Sequence, residues 1–422
     1  MRAYRWVAAV AGASMMTGAL AAGAGAGAST SNTGVLHGDT YVKVAKVTNA
    51  SFEKSGPYGV GEYSLPLSVT DANGTTYATT MDVWYPAVKG AGAAVKYNVG
   101  QWLPAALQPL LNKNKTTKAE AAKATYVEAA QSGLKVASGT FPLAVFAHGY
   151  AGFRDQSTYL TTHLASWGFV VVATDGVQYD LTSVINQSFL SLKPVSSDPN
   201  ADVADMRAEV AAMGSTGIGL VQGHVDANNV IAFGHSAGGS AVEKLASYET
   251  VNGGATPYLK GWIGLAGASI SGIGGTLVAP YNVVPTIPGV IVGGGQDHVV
   301  PMTGLKTAYG QLTASRRIIE LTNVGHQEFS DLCAINQGHG GLVTIADALG
   351  VTLNATLKTL ATDGCFTKSG KVYNVATDWP IVNQIVTAAA RADLGFDTST
   401  AGLDNLQTAH KSEVNLDTTS SL

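Results

Sequence analysis

Residues 229–249, "NVIAFGHSAGGSAVEKLASYE", join an apolar segment to a helical one through a glycine-rich turn that contains one serine. The run before the turn predicts a buried strand, and the run after it predicts a helix. Gly234 to Gly238 fit the pattern G-x-S-x-G, which at a sharp strand-to-helix turn presents a serine nucleophile. Side chains two positions before and two after the serine would clash in such a turn. Ser236 is therefore the candidate nucleophile, with Gly234 and Gly238 as the glycines that the turn requires.

Short apolar segments alternate with helical segments from residue 141 onward, and this rhythm predicts the fold class. Continuously apolar, β-branched runs are typical of parallel strands that are covered on both faces. Alternation with helical segments such as 155–167 and 200–213 indicates a doubly wound α/β sheet with helices on both faces. The strand candidates are "PLAVFAH" (142–148), "FVVVATD" (169–175), "NVIAFGH" (229–235), "GWIGLAG" (261–267), "GVIVGGG" (289–295) and "RIIELTN" (317–323).

An acid and a histidine follow the serine in the order that a nucleophilic triad requires. Asp297 comes directly after one predicted strand, and His326 directly after the next. His326 would take the proton from Ser236, and Asp297 would orient the imidazole and stabilise its cation. Glu328 and Asp331 are alternative acids, but neither ends a strand, so they are interpreted as surface or supporting groups.

Other histidines are weaker candidates for the base. His298 adjoins Asp297 in the chain and could hardly be oriented by it, and His339 lies in a later glycine-rich loop. His235 occupies the x position of the motif, and His148 precedes the loop after the first central strand. The last two are expected to support the site.

Stabilising an oxyanion requires two backbone N–H donors. One is expected at Ala237, the residue after the nucleophile. The other is expected at Tyr150 in "FAHGYAGFRDQ" (146–156), where Gly149 allows the chain to turn. The alternative is that this segment is an ordinary strand-to-helix turn.

Composition excludes some classes of protein. The chain has 422 residues, of which 13% are charged and 50 are glycine, with a net charge of −4. Low charge and the lack of a basic run argue against a nucleic-acid partner. Two arginines and a small-residue apolar stretch at 1–28 predict a cleaved export signal, with a transmembrane anchor as the weaker alternative. A secreted or periplasmic location follows, without stable membrane insertion.

Two cysteines, Cys333 and Cys365, are expected to form one disulfide in an exported protein, with two buried free thiols as the alternative. No set of residues has the spacing of a zinc site, so no metal is expected. The predicted organisation is a polar lead (29–55), a main domain (56–395) with a helical insertion (101–133) and a candidate cap (331–366), and a polar, frayed tail (396–422).

Four segments together resemble a known family: "DVWYPA" (82–87), 141–175, "NVIAFGHSAGG" (229–239) and "GGGQDHVVP" (293–301). They are similar to the α/β-hydrolases of the dienelactone-hydrolase-like and platelet-activating-factor-acetylhydrolase-like branch. Bacterial cutinase-like polyester hydrolases and chlorophyllases also look similar. The resemblance implies the α/β-hydrolase fold over roughly residues 58–330. It also implies cofactor-free hydrolysis of carboxylic esters by Ser236, His326 and Asp297, with Tyr150 and Ala237 as oxyanion donors.

The sequence also departs from these relatives. Dienelactone hydrolases use a cysteine nucleophile where this chain has Ser236, and the segments at 101–133 and 331–366 make the chain larger than compact cutinases. The leading hypothesis is an exported serine carboxylesterase for short or medium acyl, or lipid-derived, esters. A cutinase-like polyester hydrolase is the alternative. An amidase or peptidase and a non-catalytic binding protein are less favoured.

Overall fold

The computed structural model describes residues 41–420 except 215–216, 256, 269–282, 338–340, 349, 351–352, 354, 367–372 and 398–399. The predicted export signal at 1–28 therefore lies outside the described residues, as does His339. Within the described part of the chain, no helix combines the length and the apolar character needed to cross a bilayer.

The strands form one large sheet, and a separate pair is formed by two very short strands. The strands are β1 (Gly59–Thr70), β2 (Thr76–Ala87), β3 (Ala93–Ala94), β4 (Tyr97–Asn98), β5 (Thr125–Tyr126), β6 (Gln131–Ser132), β7 (Phe141–Ala147), β8 (Val170–Thr174), β9 (Val225–His235), β10 (Leu259–Leu265), β11 (Gly289–Gly294), β12 (Arg316–Leu321) and β13 (Val414–Ser420). All six predicted apolar strands are present, as β7 to β12, which confirms the α/β class.

The order of strands in the large sheet is β13-β12-β11-β10-β9-β7-β8-β2-β1-β6-β3. Strands β8, β7, β9, β10, β11 and β12 run parallel to one another, and β2 and β13 pair antiparallel with the two ends of this parallel block. The C-terminal ends of β9, β11 and β12 therefore meet at one edge of the sheet, where the predicted serine, acid and histidine follow them.

Helices cover both faces of the sheet. They are α1 (Lys115–Lys123), α2 (Thr158–Ser166), α3 (Leu181–Phe189), α4 (Ala201–Met213), α5 (Ala237–Asn252), α6 (Met302–Gln311), α7 (Gly341–Ala348), α8 (Ala355–Thr362), α9 (Trp379–Asp393) and α10 (Leu406–Ala409). One apolar cluster packs α4, α5 and α6 against one face, and a second packs α2 and α9 against the other. Burial on both faces explains why the central strands are apolar without alternation.

The insertion at 101–133 is less helical than its composition predicts. Only α1 is an α-helix, and Asn114 caps its first turn by accepting a hydrogen bond from the backbone N–H of Thr117. Residues 125–126 instead form β5, which pairs with β4, and the ring of Tyr126 packs on that of Tyr97. This aromatic contact and the strand pairing override the local helix propensity.

The described part of the C-terminal segment is ordered, which corrects the expectation of a frayed tail at 396–422. Residues 414–420 form β13, which pairs antiparallel with β12 along its length. Leu403, Leu406 and Val414 are buried in the core. The free edge of β12 supplies the backbone hydrogen bonds that make this polar segment a strand, a partner that composition does not reveal.

Cys333 and Cys365 are joined by a disulfide, as predicted. The bond closes the segment that contains α7 and α8, and both cysteines are buried beside Val375. In the chain-entropy account, a closed loop of this length stabilises the fold by about 3–4 kcal/mol.

Candidate active site

The turn between β9 and α5 holds Ser236 in a strained backbone conformation with φ of 57°. Its neighbours approach so closely that larger residues do not fit. A Cβ at Gly234 would lie 2.3 Å from the carbonyl oxygen of Gly238, and one at Gly238 would lie 1.9 Å from that of Ala147. Both glycines are thus required by backbone contacts, for the reason predicted from the motif.

Ser236, His326 and Asp297 form a continuous hydrogen-bonded relay. The Nε2 atom of His326 lies 2.8 Å from the Oγ atom of Ser236, and its Nδ1 atom lies 2.8 Å from Oδ2 of Asp297. The imidazole is fully buried, and the other two side chains are almost fully buried. Residues far apart in the sequence therefore meet at the C-terminal edge of the parallel strands, as the alternation of strands and helices in the sequence predicted.

The surroundings of Asp297 determine which nitrogen of His326 carries the proton. Oδ1 of Asp297 accepts hydrogen bonds from the backbone N–H groups of Val299 and Val300, at 2.8 and 2.7 Å. These bonds stabilise the carboxylate, which accepts a hydrogen bond from Nδ1–H of His326. Nε2 is then free to accept from the hydroxyl of Ser236, the tautomer that general-base catalysis requires.

The side chains of the alternative acids and of the alternative base form hydrogen bonds with groups other than Ser236, His326 and Asp297. Nδ1 of His298 lies 2.8 Å from Asp363, and Glu328 accepts from the backbone N–H of Gly325 at 2.6 Å. Asp331 accepts from both the backbone N–H and the hydroxyl of Thr158.

His235 braces the site, and its partner Gln156 was not singled out from the sequence. Nε2 of Gln156 donates to Nδ1 of His235 at 2.8 Å, and Nε2–H of His235 donates to the carbonyl oxygen of His326 at 2.9 Å. The Oε1 atom of Gln156 accepts from the backbone N–H of Gly149 at 3.2 Å. Burial, followed by the nearby His326, lowers the pKa of His235 well below its usual value, which keeps the ring neutral. The loop after β7, the turn between β9 and α5 (the elbow, residues 234–238) and the candidate base are thus held together by these hydrogen bonds.

Both residues expected to supply oxyanion donors are among the described residues. Ala237 is the first residue of α5, and Tyr150 lies in the turn after β7. Neither backbone N–H donates to an acceptor among the residues that the structure describes. Gly149 brings the loop against the nucleophile, because a Cβ there would lie 3.1 Å from Cβ of Ser236.

An arginine anchors the loop that carries Tyr150. The guanidinium of Arg154 is paired with Asp82 on β2 and with Asp175 after β8, each at 2.5 Å. Asp175 also accepts from the backbone N–H of Arg154 and from the indole N–H of Trp102. Charged, largely buried bonds of this kind hold a loop in one geometry.

A buried acidic cluster beside Arg154 is the one group of three or more His, Cys, Asp or Glu residues in the described part of the chain whose atoms lie close enough to hold a cation. Ligand atoms of Glu62, Asp82 and Asp155 lie within 4.8 Å of one another. Arg154 neutralises part of this charge. Burial is the main cause that raises the pKa of Glu62 to about 8 and that of Asp155 well above its usual value. Protons and the guanidinium therefore compensate the cluster.

An apolar pocket lies beside the Tyr150 loop. Its cavity volume is about 150 Å³, and α7 and α8 of the disulfide-closed segment form one wall. The insertion supplies another wall, α3 a third, and Gln327 borders it next to the candidate base. Apart from Tyr150 and Gln327, the lining residues are apolar or glycine: Val99, Gly100, Leu103, Leu111, Ala121, Ala124, Ala151, Phe153, Leu181, Val184, Ile185, Leu332, Leu342, Ile345, Ala346, Leu353, Leu357, Leu360 and Ala361.

Comparison with known proteins identifies the class of fold. Residues 46–191 match the family described as platelet-activating factor acetylhydrolase, isoform II. No curated protein matches the sequence. Among solved structures, a ferulic acid esterase from Streptomyces cinnamoneus superposes with a TM-score of 0.56 at 20% identity, covering 85% of this chain and 96% of the esterase. The chain has the α/β-hydrolase fold, and residues 46–191 resemble platelet-activating-factor acetylhydrolases, as the sequence predicted.

Proposed function

We propose that this α/β-hydrolase is a serine carboxylesterase that cleaves carboxylic esters through an acyl-enzyme intermediate. The observation that carries the proposal is the relay of two 2.8 Å contacts from Asp297 through His326 to Ser236. A buried serine beside the acceptor nitrogen of an oriented imidazole is the arrangement that activates a hydroxyl as nucleophile.

In the proposed acylation step, Oγ of Ser236 attacks the ester carbonyl carbon while Nε2 of His326 takes the hydroxyl proton. The negative charge on the carbonyl oxygen is stabilised by the N–H groups of Tyr150 and Ala237. Collapse of this intermediate breaks the bond to the alkoxy oxygen, which leaves as an alcohol with the proton from His326. Water then attacks the acyl-enzyme with the same base, releasing the acid and restoring Ser236.

Asp297 acts on the imidazole throughout both steps. Its carboxylate holds Nδ1–H and stabilises the imidazolium that forms whenever Nε2 carries a proton. The two backbone N–H groups that it accepts from keep its orientation without a further charged partner. The buried Asp297 carboxylate thus sets both the base strength and the orientation of the His326 imidazole.

The apolar pocket supports an acyl group without polar substituents. A dry cavity of about this volume is large enough for a group of the size of benzene. Its lining offers few hydrogen-bond partners, so a phenolic hydroxyl placed deep inside would lose its water without compensation. Short and medium aliphatic acyl groups, including lipid-derived ones, fit this environment best.

The relatives favour ester bonds over amides. Both the matched family and the structural neighbour carry the names of ester-cleaving enzymes, an acetylhydrolase and an esterase. The walls contributed by α7 and α8 disfavour the polyester alternative, because an extended polymer requires an open cleft. We also propose export, which the disulfide favours because such bonds persist in oxidising compartments.

The test is hydrolysis of a p-nitrophenyl ester series, from acetate to palmitate, by the mature protein. Ser236→Ala should abolish turnover, with the optimum of the series at short or medium acyl length. Ser68→Ala, an exposed serine on β1, is the matched control and should retain wild-type turnover. Full activity of Ser236→Ala would refute the proposed nucleophile, and a folded wild-type protein inactive on every ester would favour amidase or binding roles.

A further inference from the structure

Asp363 lies directly after α8 and receives hydrogen bonds from both loops that carry the candidate acid and base. Its Oδ2 atom accepts from the backbone N–H of His326 at 2.9 Å and from that of His298 at 3.2 Å. Its Oδ1 atom lies 2.8 Å from Nδ1 of His298. One largely buried carboxylate thus binds the base itself and the residue that follows Asp297.

Main-chain contacts reinforce this junction. The backbone N–H of Gln327 donates to the carbonyl oxygen of Asp363 at 2.8 Å, and its side-chain amide donates to that of Leu360 at 2.6 Å. Gly325 packs directly on Gly364, since a Cβ at Gly325 would lie 2.5 Å from Cα of Gly364. The end of α8 therefore fits closely against the turn that precedes and follows His326.

The disulfide fixes the position of this helix end. Cys365 follows Asp363 by two residues and is bonded to Cys333, which lies in the segment after His326. Near Cys333, the carboxylate of Asp331 accepts hydrogen bonds from Thr158 on α2. The Cys333 end of the disulfide is therefore attached to a core helix. Both ends of the bridge are thereby attached to the framework around the base.

We propose that Asp363 is a positioning residue that sets the geometry between Asp297 and His326, and that the Cys333–Cys365 disulfide holds it in place. This inference rests on the proposed serine esterase function. Its consequence is that turnover depends on the bridge although neither cysteine touches the reacting atoms. The disulfide-closed segment also forms a wall of the apolar pocket. One segment therefore both shapes the pocket and positions the candidate base.

The carboxylate is needed because the two backbone N–H groups that it binds can only donate, and hydrogen bonds to an ionised acceptor are roughly twice as strong as those to a neutral one. An asparagine at 363 offers one uncharged accepting oxygen, and its NH₂ group takes the place of the oxygen that faces Nδ1 of His298. The loops would then move apart, and a misplacement of about 1 Å in a reacting group can cost about 100-fold in rate. We therefore expect Asp363→Asn to lower kcat about 10- to 100-fold. KM should stay within about three-fold, because Asp363 does not line the pocket.

The experiment compares kcat and KM of Asp363→Asn, Asp363→Glu and the control Asp226→Asn. Asp226 likewise accepts two hydrogen bonds, but it lies near the N-terminal end of β9, opposite the end that leads to Ser236. Partial recovery of kcat in the glutamate variant is expected. The low-field proton resonance of the Asp297–His326 hydrogen bond should shift or broaden in Asp363→Asn and stay unchanged in Asp226→Asn. A kcat within two-fold of wild type for a folded Asp363→Asn, or an unchanged resonance, would overturn the proposal.

Reduction tests the disulfide separately and does not depend on the folding of a variant. A phosphine reductant breaks the S–S bond to give two thiols and is itself oxidised to the phosphine oxide. The reduced wild type should lose kcat, and reoxidation should restore it.

A second experiment removes the disulfide by substitution. In Cys333→Ala/Cys365→Ala, the further effect of Asp363→Asn on kcat should be smaller than in wild type, as expected for coupled sites. An unchanged kcat after complete reduction would overturn the role of the bridge.

These outcomes are distinguishable from failure of the proposed function. If Ser236→Ala retained activity, the esterase assignment itself would be wrong. If Ser236→Ala were inactive while Asp363→Asn and the reduced protein were fully active, only the positioning role would be refuted.

Discussion

The ring of His235 donates a hydrogen bond across 2.9 Å to the backbone carbonyl oxygen of His326. One residue belongs to the elbow, the other is the candidate base, and both are fully buried. This bond fixes the distance between the candidate nucleophile and the candidate base through the backbone. In the proposed mechanism, by contrast, the bond between His326 and Ser236 breaks and forms during turnover. The elbow thus both presents the serine and supports its partner.

Replacing this brace should affect stability and turnover together. His235→Phe leaves the carbonyl of His326 and the amide of Gln156 without a partner, at a cost of about 1–3 kcal/mol per unsatisfied group. We expect a lower free energy of unfolding in urea titrations and a kcat reduced about 10-fold or more. The control His224→Phe also removes a bond to a backbone carbonyl, that of Gly139, away from the site. It should lose stability and keep kcat; equal kcat in both variants would contradict the bracing role.

The elbow glycine should not tolerate even one methyl group. In Gly238→Ala the new Cβ would meet a backbone oxygen at 1.9 Å, so the strand and helix must separate. We expect destabilisation of about 1–3 kcal/mol or more, with loss of esterase activity. Gly310→Ala on α6 is the matched control, because nothing lies within 4 Å of its Cβ. This control should be neutral or slightly stabilising in thermal unfolding; a stable, active Gly238→Ala would show that the turn can relax.

Pocket volume should determine acyl-chain preference. Leu342 lines the pocket from α7 and is only partly buried, so Leu342→Trp fills space without heavy overpacking of the core. The ratio of kcat/KM for octanoate to that for acetate should fall at least about 10-fold, as loss of several buried methylenes implies. Thr344→Trp on the exposed side of the same helix is the control. An unchanged ratio in Leu342→Trp would show that the acyl group binds elsewhere.

Buried carboxyl groups should make stability fall as pH rises. Burial raises the pKa of Glu209 from 4.5 to about 8, so the folded state keeps a proton that the unfolded chain releases. Glu209 therefore lowers the free energy of unfolding as pH rises from about 4.5 to about 8, by up to about 1.4 kcal/mol per pH unit. Glu209→Gln should flatten the fall in unfolding free energy between about pH 6 and about pH 8.

The comparison for this pH dependence is Glu120→Gln on α1, which removes a carboxylate from a surface ion pair with Lys123. Urea titrations at both pH values give the slopes. The same slope in wild type and Glu209→Gln would show that the buried carboxyl does not govern this dependence.

The sequence by itself determined the parallel strands and the elbow, and it located the candidate nucleophile, acid and base. Those features are local, because an apolar run, a glycine forced by backbone contact and a polar residue at a strand end each have a signature within a few residues. The disulfide was also predictable, since a chain with two cysteines has one pairing available.

Only the tertiary structure decided the remaining features. Asp363 lies 37 residues after His326, and no spacing or motif links the two. Gln156 and the strand β13 likewise take their roles from partners that are distant in the chain. A carboxylate, an amide or a polar edge strand is stabilised by the groups that lie next to it in the folded protein. Which groups these are depends on how the helices and loops pack on the whole sheet.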